Sequence, residues 1–245
     1  MMKLLIFICQ YALLIIFAFP AFSQTKDFKP TILNFPNLNP TYLAKFEKEK
    51  LEYKKALQTE RSLLTEHQKE LLNRENFYEA GPFFTTNYGC SWYCLGEPTE
   101  TSSSSFLESN ERYKSKNIHD FDLKTAWVEG NEDYGIGENI TITFEFSPGK
   151  TKITTMDIFN GYCKSEKLWE ENSRVKKLAF YANWKLIGNL LLEDVYKKQR
   201  FKVGSLGGDK KHKLVLSFKI VEVYKGDKYK DVAISEINFN GTGDH

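Results

Sequence analysis

Asn117-Ile118-His119-Asp120-Phe121-Asp122-Leu123-Lys124-Thr125-Ala126-Trp127 sets two acids two residues apart, then a hydroxyl, then a tryptophan. Two readings fit these residues. In a tight loop the acids, the Thr125 hydroxyl and main-chain carbonyls can turn toward one hard cation, since calcium takes about six to eight oxygen ligands. Asx-type hydrogen bonds from Asp120 and Asp122 can equally brace a turn while Trp127 fills a core. The flanking sequence decides what kind of domain carries the loop.

Downstream of the loop the hydropathy alternates. Asn139 to Phe146 puts Ile140, Ile142, Phe144 and Phe146 on one face and Thr141, Thr143 and Glu145 on the other, the pattern of a half-buried antiparallel strand. Further strands are predicted over Lys152 to Phe159, Val175 to Tyr181, Lys185 to Leu192, Leu214 to Val223 and Ile234 to Phe239, with a hairpin turn at Ala182-Asn183-Trp184. Thr99 to Ser105 reads as a Ser/Thr-rich surface loop. Short strands with no helical period between them predict a mainly β domain, a sandwich or jelly roll.

Upstream the period changes. Lys3, the apolar run Leu4 to Phe19 and Ala21-Phe22-Ser23 form a cleavable export signal over residues 1–23, predicting a secreted or periplasmic protein without a transmembrane anchor. Residues 24–80 read as an extended Pro- and Asn-rich segment followed by a long helix, which starts at Asn39-Pro40 and runs from about Thr41 to Asn73. Leu43, Phe46, Tyr53, Leu57, Leu64 and Leu71 form an imperfect stripe, because Lys50, Glu60 and His67 interrupt it. Such a helix acts as a charged spacer packed along one stripe, or recruits a protein partner. Gly81-Pro82 marks the boundary with the β domain, residues 81–245.

Lys and Arg number 34 against 32 Asp and Glu. That balance gives no electrostatic basis for binding nucleic acid, which needs a concentrated basic face. After removal of the signal three cysteines remain. Cys90 and Cys94 are the closer pair and are expected to form a disulfide, leaving Cys163 free or intermolecular. No His pair has zinc-ligand spacing, and no nucleophile elbow, P-loop or dinucleotide fingerprint is present. The adjacent acids Glu170 and Glu171 read as a solvated face. The expectation is a protein that is not an enzyme and requires no cofactor.

The residues from Asn117 to Gly130 resemble the aspartate loop of discoidin-like domains, also called coagulation factor 5/8 type C or galactose-binding-like domains. More closely, they resemble the NADase-type glycan-binding subgroup, the NAD glycohydrolase translocation domain. Gly135-Ile136-Gly137-Glu138, Asn160-Gly161-Tyr162-Cys163-Lys164-Ser165, Asn172 to Leu178, and Val221 to Gly226 through Ile234-Ser235-Glu236-Ile237 match that subgroup in order. The resemblance covers the chain from about Phe83 onward. It implies a galactose-binding-like jelly-roll β-sandwich, here preceded by one long N-terminal helix, that binds a glycan or glycoconjugate through loops gathered at one end. It also implies a structural calcium held by Asp120, Asp122, Thr125 and Glu236. Phe121 departs from the pattern, standing where the family has glycine. If that position needs positive φ, phenylalanine is strained there.

Sugar recognition needs planar faces for the ring and fixed donors and acceptors for hydroxyls. The candidate contact residues are Glu129, Tyr134, Asn160, Tyr162, Lys164, Arg174, Tyr224 and Lys225. The same residues also fit a scaffold, in which Asn160-Gly161 is a turn, Arg174 pairs with a carboxylate and the tyrosines close the sandwich.

Overall fold

A computed structural model describes residues 25–35, 40–73, 92–108, 111–146, 151–207 and 213–243. The export signal and Cys90 lie outside the described residues. Among those residues no helix is long and apolar enough to cross a membrane.

The elements are β1 (Asp27–Phe28), β2 (Thr31–Leu33), α1 (Pro40–Gln58), α2 (Glu66–Asn73), β3 (Pro98–Ser103), β4 (Trp127–Val128), β5 (Asn139–Glu145), β6 (Lys152–Asn160), α3 (Glu166–Glu171), β7 (Ser173–Ala182), β8 (Lys185–Leu191), β9 (Lys198–Gly207), β10 (Lys213–Tyr224) and β11 (Val232–Thr242). One leaf of the sandwich runs β3-β5-β10-β7-β8 and the other β2-β9-β6-β11, with β4 against β11. The leaves join where the start of β11 runs parallel to the start of β7, Val232 opposite Ser173 and Ala233 opposite Arg174. Ile140, Ile142 and Phe144 of β5, Phe218 of β10 and Phe180 of β7 share one buried cluster with Ile158 of β6, Phe201 of β9 and Ile237 of β11. The period-two alternation predicted for β5 is therefore the alternation between core and outer face.

The β7–β8 hairpin closes through two residues, Asn183 (φ 47) and Trp184 (φ 66), with Ala182 opposite Lys185. Positive φ at both central positions is the twist that a two-residue hairpin requires. The Ser/Thr-rich segment is not a loop. Thr101 to Ser103 pair with Ile142 to Ile140 as an edge strand, and the hydroxyls of Ser104 and Ser105 donate to the Glu138 carboxylate.

Residues 40–73 are not one helix. Helix α1 ends at Gln58, where the Thr59 hydroxyl donates to the Lys55 carbonyl at 2.8 Å. Helix α2 then starts from a capping box: the Gln68 amide donates to Thr65 Oγ1 at 3.2 Å and the Thr65 amide to Gln68 Oε1 at 3.0 Å. The reciprocal cap satisfies two amides that a continuous helix would bond elsewhere, so the chain folds back. Phe46 and Leu71 are buried together with Tyr53 packed against them, so the stripe closes largely on itself.

The segment before the helices is extended as expected, but it belongs to the sheets: β1 pairs with β8 and β2 with β9. Among the cysteines, Cys94 is an exposed free thiol and Cys163 a buried one. Cys90, the partner expected for Cys94, lies outside the described residues. Cys163 is a core residue, its amide donating to Ser235 Oγ at 2.9 Å and its thiol pushed up in pKa by burial.

Candidate functional site

The aspartate loop is built from the inside out. Asn117 is buried and donates from Nδ2 to the carbonyls of Arg112 (2.6 Å) and Ala126 (2.9 Å), fixing both ends of the loop. Trp127 fills the core and donates from Nε1 to the Ser105 carbonyl at 2.9 Å. Between these anchors the Asp122 amide donates to Asp120 Oδ1 (3.1 Å) and the Lys124 amide to Asp122 Oδ1 (2.9 Å), two consecutive Asx turns. Phe121 does adopt φ 63. Its ring packs edge-on to His119 at 4.6 Å and Tyr93 at 5.1 Å, contacts that offset the ~1–2 kcal/mol of a left-handed side-chain residue.

Glu236 of β11 reaches under this loop. Its Oε1 accepts from the amides of Asp120 (3.3 Å) and Asp122 (3.1 Å), while its buried Oε2 accepts no hydrogen bond and its carboxyl neighbours that of Asp120. Burial first, and then Asp120 beside it, hold its carboxyl well above the usual carboxylate range. Thr125 Oγ1 lies 2.9 and 2.8 Å from the two Asp120 carboxylate oxygens and 2.9 Å from the Asp122 carbonyl. A single hydroxyl hydrogen thus faces three acceptor oxygens. Among the described residues no group of three His, Cys, Asp or Glu is placed to hold a metal ion. The fit to a hard cation rests instead on Asp120, Thr125 and the buried Glu236 carboxyl beside Asp120. Asp122 supports the turn with its side chain and offers at most its carbonyl.

Four loops gather at one end of the sandwich: 129–138, 161–172, 192–197 and 225–231. The eight candidate contact residues divide there. Glu129, Asn160 and Arg174 are buried scaffold, which corrects their assignment as contacts, because their polar atoms already face protein. Glu129, with no solvent exposure, accepts from the Asn131 amide at 2.8 Å and the Val232 amide at 3.3 Å. Burial pushes its pKa up to about 7 against the pull of those amides. Gly135 (φ 60) passes directly over it, and a Cβ there would sit 2.6 Å from Glu129 Cγ. Asn160 clasps Val175 in both directions, Nδ2 to its carbonyl at 2.7 Å and Oδ1 from its amide at 3.0 Å. Arg174 forms a two-pronged pair with Asp194 at 2.9 and 3.0 Å, donates to the Asn172 carbonyl at 2.8 Å, and lies 4.3 Å over the Trp169 ring.

The remaining candidates are partly or fully exposed, but they are not one cluster. Lys225 sits 5.0 Å over the Tyr134 ring, joining loops 129–138 and 225–231. Tyr162, half-buried, donates to the Lys124 carbonyl at 3.3 Å, linking loop 161–172 to the aspartate loop. Tyr224 donates to the Leu192 carbonyl at 3.0 Å. Lys164 is exposed on loop 161–172. Sequence reasoning missed two exposed apolar groups on these loops, Ile136 and Tyr229, the latter with Lys228 4.7 Å over its ring. An aromatic in the otherwise polar run Lys225-Gly226-Asp227-Lys228-Tyr229-Lys230-Asp231 was the available signal.

Perturbed acids and bases often mark catalysis, but here they are enclosed. Glu129 is sealed by its amides, and His119 lies among Tyr93, Phe121 and Phe239. Burial lowers the pKa of His119 to about 4.

A two-leaved β-sandwich with a braced aspartate loop and four loops collected at one end defines a discoidin-like module. A family model described as the NAD glycohydrolase translocation F5/8 type C domain matches residues 92–240. The chain belongs to that family. Among solved structures, it is similar to a CBM32 module from a family 31 glycoside hydrolase of Clostridium perfringens, at 12% identity and TM-score 0.40 over 63% of this chain and 100% of that one. It is also similar to the C-terminal domain of a chitobiase from Bacteroides fragilis, at 16% identity and TM-score 0.41 over 61% and 95%. No curated protein matches the chain.

Proposed function

We propose that the chain is an exported, noncatalytic glycan-binding module. The observation that carries this reading is the Tyr134–Lys225 pair. A half-exposed ring with an ammonium at its face bridges two loops, and the buried Glu129 pins both loops by accepting one amide next to each. A planar apolar face on preorganised loops is what stacking against a sugar ring requires. The exposed Ile136, Tyr229 and Lys164 extend the surface on the same loops.

Calcium is part of the proposal as a brace, with Asp120, Thr125 and Glu236 as the residues that would hold it. Bound there, the ion would take the place of the proton that burial favours on Glu236 and lock the aspartate loop. At a concentration about one hundred times its Kd it raises unfolding free energy by about 2.7 kcal/mol. Calcium added to chelator-treated protein is expected to raise Tm, and Thr125→Val to abolish the rise; an equal rise in the variant places the ion elsewhere.

The functional test is a glycan array with the full exported chain, run with and without chelator. Binding that disappears in Tyr134→Ala and Lys225→Ala, both still folded by circular dichroism, supports the reading. A blank array with folded protein overturns it. A second reading, a protein-interaction module, is favoured by Leu51, Leu57 and Leu63, all exposed on the helical hairpin. It expects a co-purifying partner that is lost when these three are replaced together.

A further inference from the structure

Residues 25–35 precede the family match by more than fifty positions, yet they are inserted in the sandwich at three places. β1 adds to the free edge of β8, with Asp27 opposite Asn189 and Phe28 opposite Leu190. The Asn189 amide donates to the Lys26 carbonyl at 2.8 Å and its side chain to Asp27 Oδ1 at 2.7 Å. Three residues later β2 adds to the edge of β9 in the other leaf, Thr31 opposite Arg200 and Leu33 opposite Lys198. One short segment therefore covers an edge of each leaf. It also contributes to the core between them, because Phe28 is buried with Leu190, Phe201 and the rest of the main cluster.

β8 is shaped to receive it. A Cβ at position 188 would overlap the Lys26 carbonyl and sit 2.7 Å from the Phe28 ring. Glycine there is otherwise unfavourable in a strand, where it marks a close backbone approach.

The segment ends at the loop end. Phe35 stacks on Phe159 at 5.7 Å and meets Tyr196 edge-on at 4.6 Å. Those rings belong to a second small core of Leu123, Phe159, Cys163 and Trp169. Leu123 comes from the aspartate loop, Cys163 and Trp169 from loop 161–172, and Tyr196 from loop 192–197. Tyr196 further donates to the Cys163 carbonyl at 2.9 Å.

We infer that residues 25–35 are a strap that completes the module from outside its family segment, and that Phe35 is a positioning residue for the aspartate loop and loops 161–172 and 192–197. The inference holds whatever ligand the loops take. Two open sheet edges would otherwise invite pairing with other chains.

Hydrogen exchange on the full chain tests it without any ligand. In the unaltered protein, the amides of Asn189 and of β2 residues should be protected within about tenfold of those of β6. Exchange of β1 and β2 at the rate of an unstructured peptide overturns the strap. Phe35→Ala should accelerate exchange in 161–172 and 192–197 more than about tenfold while leaving β5 and β10 unchanged. Unchanged loops overturn the positioning role. Gly188→Val offers an independent arm, expected to expel β1 and expose the Asn189 amide; a variant with full protection there overturns the close fit.

Discussion

Replacing Glu129 by Gln isolates the pH dependence that one buried carboxyl imposes on the fold. Its pKa is pushed up to about 7 from the ordinary 4.5, so between those values the folded chain holds a proton that the unfolded chain has released. Stability follows the difference in bound protons, unfolded minus folded, and here it falls as pH rises across the window. At about 1.4 kcal/mol per pKa unit, the full penalty above pH 7 is at most ~3 kcal/mol. Near pH 5.5 about 1.4 kcal/mol of it remains, which leaves ~2 kcal/mol between pH 5.5 and pH 8. His119 acts with the opposite sign. Its pKa is lowered from 6.5 to about 4, so the unfolded chain takes up the extra proton and stability is lost as pH falls through that range. Glu236, raised by burial, acts with the sign of Glu129. The wild-type slope alone is therefore a mixture, and the informative quantity is the difference between wild type and Glu129→Gln. Gln keeps one acceptor for two amides, a pH-independent loss of about 1 kcal/mol. Urea unfolding at both pH values should show the variant gaining ~2 kcal/mol on wild type between pH 5.5 and pH 8. Parallel pH profiles for the two proteins would refute the assignment.

At Phe121, where φ is 63, Gly should be more stable than Ala by about 1 kcal/mol. Chemical denaturation of the two variants checks this, and Ala equal to or above Gly contradicts it. Thr65→Ala removes the capping-box oxygen seen by Gln68 and should lower α2 protection in hydrogen exchange by about 1 kcal/mol. Arg174→Ala strips three carbonyls, the Trp169 face and Asp194 of their partner. Because Asp194 is partly solvated, the loss should lie near the lower end of the range for breaking a buried pair, about 3 kcal/mol. That corresponds to a drop in Tm of roughly 6–12 °C, and a drop under about 2 °C would show the pair to be dispensable.

The strand pattern was legible because it is local: each outer Thr or Ser alternates with a core residue on the same strand. The aspartate loop was legible for the same reason, its two Asx turns and its tryptophan lying within eleven consecutive residues. What was not legible depends on distant partners. Nothing near Arg174 in the chain announces Asp194, twenty positions away across the β7–β8 hairpin. Of the groups that enclose Glu129, the Val232 amide comes from more than one hundred positions later. Helix continuity past Gln58 was overread because stripe residues recur at helical steps, although Thr65-Glu66-His67-Gln68 carried a visible capping box. The extended character of residues 25–35 was readable. Their place in two sheets was not, since strand pairing is fixed by the edge that receives it.

Most of these distant dependences converge on β11. Its core-facing residues run Val232, Ile234, then Ile237 and Phe239, a step of three where a regular strand takes two. That irregularity, already present in Val-Ala-Ile-Ser-Glu-Ile-Asn-Phe, turns Ser235 and Glu236 away from the main core. Ser235 can then receive the Cys163 amide, and Glu236 can reach the amides of Asp120 and Asp122. Upstream of the step, the same strand gives the Val232 amide to Glu129 and pairs with both β4 and β7. The aspartate loop and the loop end are thus positioned from opposite sides of the step between Ile234 and Ile237, where β11 passes from β7 and β4 to β6. A deletion within Ser235-Glu236 would flip either the core set or the site set to the wrong face, so the two cannot vary independently.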